Sequence, residues 1–68
     1  MHLKILERQV EGDEHGLHHL EGMGHEAEEL FEEAKLKHRS TFHDDSGRRY
    51  VLSRESPGRY LVANSDSV

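Results

Sequence analysis

The most regular spacing of apolar residues lies in the middle of the chain, between Gly24 and His38. The residues that recur there at i, i+3, i+4 and i+7 are Ala27, Leu30, Phe31 and Ala34. This spacing places them on one face of an amphipathic helix. Acidic residues near its start and basic residues near its end suit the helix macrodipole. The pattern predicts a helix over residues 24–38, with Leu36 on the side opposite its buried face.

After this helix the pattern changes to short strands separated by turn residues. Residues 45–47 (DSG) fit a three-residue hairpin loop with glycine in the left-handed position. Such a loop places Phe42 opposite Tyr50 and Ser40 opposite Leu52. The sequence therefore predicts a hairpin whose inner face carries these four side chains.

A second turn is predicted at residues 56–58 (SPG), with Glu55 paired to Arg59. In this register Tyr60 and Val62 join the inner face of the sheet. Residues 64–68 are polar and are predicted to be a frayed tail, which leaves one domain over residues 1–63.

The first ten residues are compatible with two kinds of element. As a strand, Leu3 and Ile5 alternate with polar residues; as a helix, Leu3, Leu6 and Val10 share a face. The strand gives an α+β fold of order β-α-β-β-β, in which one amphipathic helix packs on a small antiparallel sheet. The helix gives the order α-α-α-β-β, which is similar to a winged-helix domain in element order alone. Residues 12–13 (GD) favour the strand because they suit a strand-to-helix connection.

The size and composition of the chain limit its stability. It has 68 residues, 32% of them hydrophobic, and no cysteine that could form a disulfide. A core of this size contributes only about 3–5 kcal/mol, so a second copy of the chain is an available source of stability. We therefore expect a homodimer, formed through Leu36 or an unpaired sheet edge.

No segment is suited to a membrane or to export. A bilayer-spanning helix needs about 20 apolar residues, and the chain has no such run. Lys4, Glu7 and Arg8 interrupt any signal-peptide core near the start. The absence of cysteine is more typical of intracellular proteins than of small secreted ones. We expect a cytoplasmic protein without a membrane partner.

Charge is divided unevenly along the sequence. Residues 11–33 hold nine acidic residues and no Lys or Arg, whereas residues 34–60 hold seven basic and three acidic residues. The net charge of −5 argues against tight binding of duplex nucleic acid. Most of that affinity comes from basic residues that neutralise the phosphates. A dense acidic segment is instead suited to a partner of opposite charge.

The histidine-rich segment EHGLHHLEGMGHEAEEL, residues 14–30, raises the possibility of a metal site. Its candidate ligands for zinc or nickel are His15, His18, His19 and His25. The segment lacks the HExxH order of metalloproteases, and three glycines make a continuous helix costly. The favoured interpretation is a solvated, glycine-broken segment that leads into the helix, with Leu17, Leu20 and Met23 buried.

Two further kinds of chemistry have candidate residues. A single-strand nucleic-acid site would combine Tyr50 and Tyr60 with the arginines of the hairpins, which are Arg48, Arg49, Arg54 and Arg59. Both tyrosines are, however, expected in the core beneath the helix. His43 with the neighbouring aspartates, and with Ser40 or Ser46 nearby, is the most compact catalytic candidate, but these residues flank a turn, where Asp is common. No catalytic residue and no cofactor is predicted.

The function predicted from the sequence is that of a small acidic, non-enzymatic interaction or regulatory module. It would present the glutamate-rich helix to a protein partner; a sharper form of this hypothesis is an inhibitor that occupies the partner's nucleic-acid-binding groove. The predicted interaction surface comprises Glu26, Glu28, Glu29, Glu32, Glu33 and Leu36. The alternatives are a divalent-metal-binding protein that uses the histidines and a single-strand nucleic-acid binder that uses the arginines.

Overall fold

A computed structural model describes residues 1–65 and shows an α+β fold of two layers. Two helices pack on one face of a five-stranded sheet. The strands are β1 (His2–Ile5), β2 (Arg8–Gly12), β3 (Arg39–His43), β4 (Arg49–Ser56) and β5 (Arg59–Asn64), and the helices are α1 (Glu14–Met23) and α2 (His25–Lys37). Neither helix has the length and apolar character needed to cross a membrane.

The sheet is mixed, with the strand order β1-β2-β5-β4-β3. Strands β2 and β5 are parallel, and the other neighbouring pairs are antiparallel. Val10 of β2 lies beside Tyr60 of β5, and Gly12 lies beside Val62. A Cβ atom at Gly12 would collide with the carbonyl oxygen of Val62. The prediction of a purely antiparallel sheet is wrong because the N-terminal strands join the meander through this parallel pair.

The N-terminal segment forms a hairpin, where the sequence predicted one strand. β1 and β2 pair in antiparallel register and are joined by Leu6 and Glu7. Both joining residues have positive φ, 48° and 70°. Such turns normally use Asn or Gly, because an L side chain is strained there. Leu6 and Glu7 therefore gave no turn signal. The helical alternative, with the order α-α-α-β-β, is also wrong.

Residues 14–23 of the histidine-rich segment form helix α1, so the prediction of a single helix and a broken lead-in is corrected. Asp13 caps the helix by accepting a hydrogen bond from the Gly16 amide at 2.9 Å. Leu17 and Leu20 are buried as predicted, and Met23 packs partly against the core. Gly24, with φ of 62°, separates α1 from α2.

Gly16 lets α1 approach the sheet closely. A Cβ atom at this position would lie 2.7 Å from Val62 Cγ1 and 2.8 Å from Tyr50 Cδ1. The helical cost of this glycine is therefore offset by packing that a larger residue would prevent. Gly16, which would destabilise an isolated helix, is thus the residue at which α1 contacts the sheet.

Helix α2 confirms the predicted helix over residues 24–38. Ala27, Phe31 and Ala34 are buried, while Leu30 is only half-buried. The Phe31 ring meets Tyr60 edge-on, with the ring centroids 4.9 Å apart. α2 is thus anchored to the sheet through the apolar face that the sequence pattern indicated.

The first predicted hairpin is confirmed in register. Phe42 pairs with Tyr50, and Ser40 pairs with Leu52. The Asp44 amide donates to the Arg48 carbonyl at 3.0 Å, which encloses a loop of three residues. The loop ends at Gly47, whose φ is 82°, in the left-handed conformation that the pattern required.

The second hairpin has the predicted inner face but a different register. Arg59 pairs with Ser56 rather than with Glu55, and a β-bulge lies between Arg54 and Ser56. The turn then consists of Pro57 and Gly58, with φ of 79° at Gly58. This places proline at the first central position, where its fixed φ is favourable. The bulge restores the alternation, so Tyr60 and Val62 are buried as predicted.

The start of the predicted frayed tail belongs to the sheet. Asn64 pairs with Tyr50, and the Ser65 amide donates to the Arg49 carbonyl at 2.9 Å. The rest of that tail, residues 66–68, lies outside the described residues.

Two alanine substitutions in α1 are expected to have opposite effects. Gly16→Ala should lower the free energy of unfolding by about 1–3 kcal/mol, because the added methyl group overpacks the core. Gly22→Ala should raise it by up to about 1 kcal/mol, because alanine favours the helix. No atom lies within 4 Å of a Cβ at Gly22. Urea unfolding of both variants measures the difference, and equal effects would contradict the close approach at Gly16.

Candidate functional site

The helix layer and the uncovered side of the sheet differ in charge. The two helices carry seven glutamates and two lysines. The uncovered side of the sheet carries four basic and two acidic side chains, on strand positions that alternate with buried ones. These are Lys4, Arg39, Arg49 and Arg59, and Glu11 and Glu55. The molecule therefore has a strongly acidic side and a mildly basic side.

The acidic face, as used below, is the exposed surface of α2 formed by Glu26, Glu28, Glu29, Glu32, Glu33 and Leu36. At 100° per residue, Leu36 lies opposite the buried face of the helix, with Glu29 and Glu32 on either side of it. Leu36 is 80% exposed, more than the other exposed large hydrophobic residues, Met1 and Leu6. The structure thus brings all six residues of the predicted interaction surface onto one exposed side.

The acidic face is only weakly neutralised by the chain itself. Its ion pairs are Arg8–Glu32 at 3.7 Å, His25–Glu28 at 3.8 Å and Lys37–Glu33 at 3.9 Å. Pairs this long and exposed contribute little to stability. Glu26 and Glu29 have no ion pair within residues 1–65. Negative potential therefore remains available to a partner.

The four histidines predicted as metal ligands are not brought together. His15, His18 and His25 are exposed, and His19 stacks on Phe42 with a centroid separation of 6.1 Å. His18 and His19 instead line an open cleft, whose other titratable residues are Glu26, His43 and Asp45. Throughout residues 1–65, no group of three or more His, Asp or Glu side chains is placed to hold a metal ion.

The arginines predicted to contact single-stranded nucleic acid are also dispersed. Arg48 is exposed in the loop between β3 and β4, and Arg49 and Arg59 point to the uncovered side of the sheet. Arg54 is half-buried on the helix-covered side. Tyr50 and Tyr60 are buried in the core, so neither ring is presented for base stacking beside these arginines.

Asp44 holds the turn between β3 and β4. Its carboxylate accepts hydrogen bonds from the amides of Ser46 and Arg48, each at 2.9 Å, and from the Tyr50 hydroxyl at 3.1 Å. Desolvation raises the pKa of Asp44, but these hydrogen bonds and the Arg48 charge outweigh it and lower the pKa. Burial, followed by the nearby carboxylate of Asp44, raises the pKa of Tyr50.

The catalytic candidates around His43 therefore have structural partners. Asp44 is committed to the turn, and Ser40 is buried, where its hydroxyl donates to the Leu30 carbonyl at 2.9 Å. The hydrogen bond between Asp44 and Tyr50 was missed because Asp was expected in a turn for its own backbone contacts, whereas Tyr50 was considered as a core or base-stacking residue.

Comparisons of the chain with protein-family models, curated proteins and solved structures find no match. Inference about function therefore rests on the surface chemistry of the described residues. The largest concentration of like charge on that surface is the acidic face of α2.

Stability should fall at both extremes of pH. The lowered pKa of Asp44 stabilises the fold above the ordinary Asp value of about 4, and this contribution is lost as the pH falls through the lowered value. The raised pKa of Tyr50 stabilises the fold below about pH 10, and this contribution is lost as the pH rises beyond it. In Asp44→Asn the free energy of unfolding should fall less steeply as the pH is lowered, which denaturant titrations at a series of pH values measure. An unchanged fall at acidic pH would show that other carboxylates determine it.

Zinc is expected to leave the melting temperature nearly unchanged, because the predicted ligands are dispersed. A zinc site would add about 2.7 kcal/mol to the free energy of unfolding when the free zinc concentration is one hundred times the dissociation constant. Differential scanning calorimetry with and without a slight excess of zinc measures this. A large stabilisation that disappears in His15→Ala or His19→Ala would instead support the metal-binding alternative.

Proposed function

We propose that the protein is a non-enzymatic interaction module that docks the acidic face of α2 onto a basic surface of a protein partner. The observation that carries the proposal is the position of Leu36. It is an 80% exposed leucine that lies among five exposed glutamates on the side of α2 opposite the core.

An exposed apolar residue next to charged residues has the chemical layout of a helix-docking surface. In protein interfaces a few buried apolar anchors supply most of the affinity, while surrounding charges steer the approach and select the partner. Leu36 would be the anchor, and Glu29 and Glu32 would contact Lys or Arg of the partner. A partner with an apolar pocket bordered by basic residues fits this surface, including one whose groove normally binds nucleic acid.

The rest of α2 is suited to presenting such a surface rigidly. Phe31 is fully buried against Tyr60, and Ala27 and Ala34 bring the helix close to the sheet. Because packing fixes the inner side of α2, the helix backbone loses little conformational freedom when the outer side binds a partner. This preorganisation supports docking through the helix rather than through a flexible segment.

The other expectations from the sequence remain predictions. A homodimer formed through Leu36 would use the same exposed leucine and would compete with the proposed partner, whereas a homodimer formed through a sheet edge would leave Leu36 accessible. The metal-binding and single-strand nucleic-acid alternatives, and a cytoplasmic location, stay predictions. The scattered ligands and the buried tyrosines make the acidic face the best-supported of the candidate sites.

The proposal is tested by capturing partners from cells and then measuring their binding with purified proteins. At about 0.15 M salt, where screening acts over about 8 Å, Glu29→Lys should weaken binding by about tenfold or more. Leu36→Ser should cause a similar loss, because it removes the apolar anchor. Raising the salt should weaken the wild-type complex by slowing association.

Glu21→Lys is the matched control, because Glu21 is an exposed glutamate of α1 and the substitution makes the same change in charge. It should leave binding almost unchanged. A partner that binds the wild type, Glu29→Lys and Leu36→Ser with equal affinity would overturn the assignment to the acidic face. Circular dichroism of each variant separates loss of binding from loss of fold.

A further inference from the structure

Three cationic side chains converge on a pocket at one end of the sheet, away from the histidine cleft. Arg8 comes from the start of β2, Lys35 from the last turn of α2, and Arg54 from β4. The remaining walls are Tyr60 and the Pro57–Gly58 turn. The cavity has a volume of about 210 Å³. It is smaller than the roughly 300–1,000 Å³ pockets that bind drug-sized ligands, so it suits a small ligand.

The chain supplies little negative charge to this pocket. Arg8 has one carboxylate neighbour, Glu32, at 3.7 Å, and the Glu32 side chain is 54% exposed. Within residues 1–65, the side-chain nitrogens of Lys35 and Arg54 have no hydrogen-bond acceptor or ion-pair partner. Like charges that share a cavity repel one another, and the half-buried Arg54 is partly desolvated as well. An anion in the pocket would remove both penalties.

Two of the three cations are held in place by contacts that leave the pocket open. The Arg8 guanidinium lies over the Phe31 ring, 4.8 Å from its centroid, and donates to the Leu6 carbonyl at 3.1 Å. Arg54 is fixed at its backbone, where its amide donates to the His38 carbonyl at 3.1 Å. The Arg8 guanidinium is therefore positioned before any ligand arrives, which lowers the entropic cost of binding, whereas Arg54 is held only at its backbone.

We propose that this pocket binds a small phosphate, either inorganic phosphate or the phosphate group of a small monoester. A phosphate monoester carries between one and two negative charges near neutral pH, which balances Lys35, Arg54 and the incompletely neutralised Arg8. A single carboxylate would leave positive charge uncompensated. Guanidinium groups also match the geometry of phosphate oxygens through paired hydrogen bonds. The proposal does not rest on the docking function proposed above, although Arg8 pairs with Glu32 of the acidic face.

The test is a titration of the ¹⁵N-labelled protein, followed by NMR near pH 7.5 at constant ionic strength in chloride. Inorganic phosphate should cause saturable shifts at Gly58, Tyr60 and the Arg8 and Arg54 side chains. Glycerol phosphate, titrated in parallel, shows whether the pocket prefers the free ion or a monoester by which of the two binds more tightly. Acetate, a monoanion, should cause no saturable shift there.

Arg54→Gln and Lys35→Gln should each weaken phosphate binding by about tenfold, because each removes a charge-assisted hydrogen bond. The matched controls are Arg39→Gln and Lys37→Gln, which remove exposed cations outside the pocket and should bind like the wild type. Lys35 is exposed, so its variant is informative even if Arg54→Gln fails to fold. Absence of saturable shifts with both phosphates, equal binding of acetate, or equal losses in variants and controls would overturn the proposal.

Discussion

The parallel pairing of β2 with β5 is the constraint on which the rest of the structure depends. It joins residues 9–12 to residues 59–62 and so places the N-terminal hairpin beside the C-terminal meander. The Asp13 amide donates to the Val62 carbonyl at 3.0 Å, so the same pairing fixes where α1 begins. Contacts between segments so distant in sequence require the closure of a long loop, which slows folding relative to that of local hairpins.

The elements that could be predicted are those specified by nearby residues. The helical spacing of Ala27, Phe31 and Ala34 specifies α2, and residues 45–47 specify the register of β3 with β4. Two kinds of element were missed: those whose partners are distant in sequence, and the N-terminal hairpin, whose turn residues Leu6 and Glu7 are not typical of turns. Gly16 reads as a helix breaker until Val62 and Tyr50 are placed against it. The parallel pairing of β2 with β5 has no local signal either, because these two strands are separated in sequence by both helices and two other strands.

The same distinction applies to the candidate sites. All glutamates of the acidic face lie on one helix, so the spacing predicted their common surface as soon as α2 was recognised. The histidines were read as a cluster because they are close in sequence, yet within residues 1–65 no group of three or more His, Asp or Glu side chains is placed to hold a metal ion. Conversely, Arg8, Lys35 and Arg54 are separated by at least 19 positions and meet only through the sheet topology and the packing of α2. Closeness in sequence was therefore a poor guide to the proposed metal site and to the cationic pocket.

The outer strands of the sheet also affect how the protein behaves when crowded. Strand β1 carries His2 and Lys4, and strand β3 carries Arg39 and His43, all exposed. An unpaired strand is a template for fibril growth unless its side chains oppose it, and basic residues do so by mutual repulsion. Two copies joined edge to edge would bring Lys4 or Arg39 of both copies together, so the folded protein should resist edge-to-edge stacking and amyloid-like aggregation when it is concentrated.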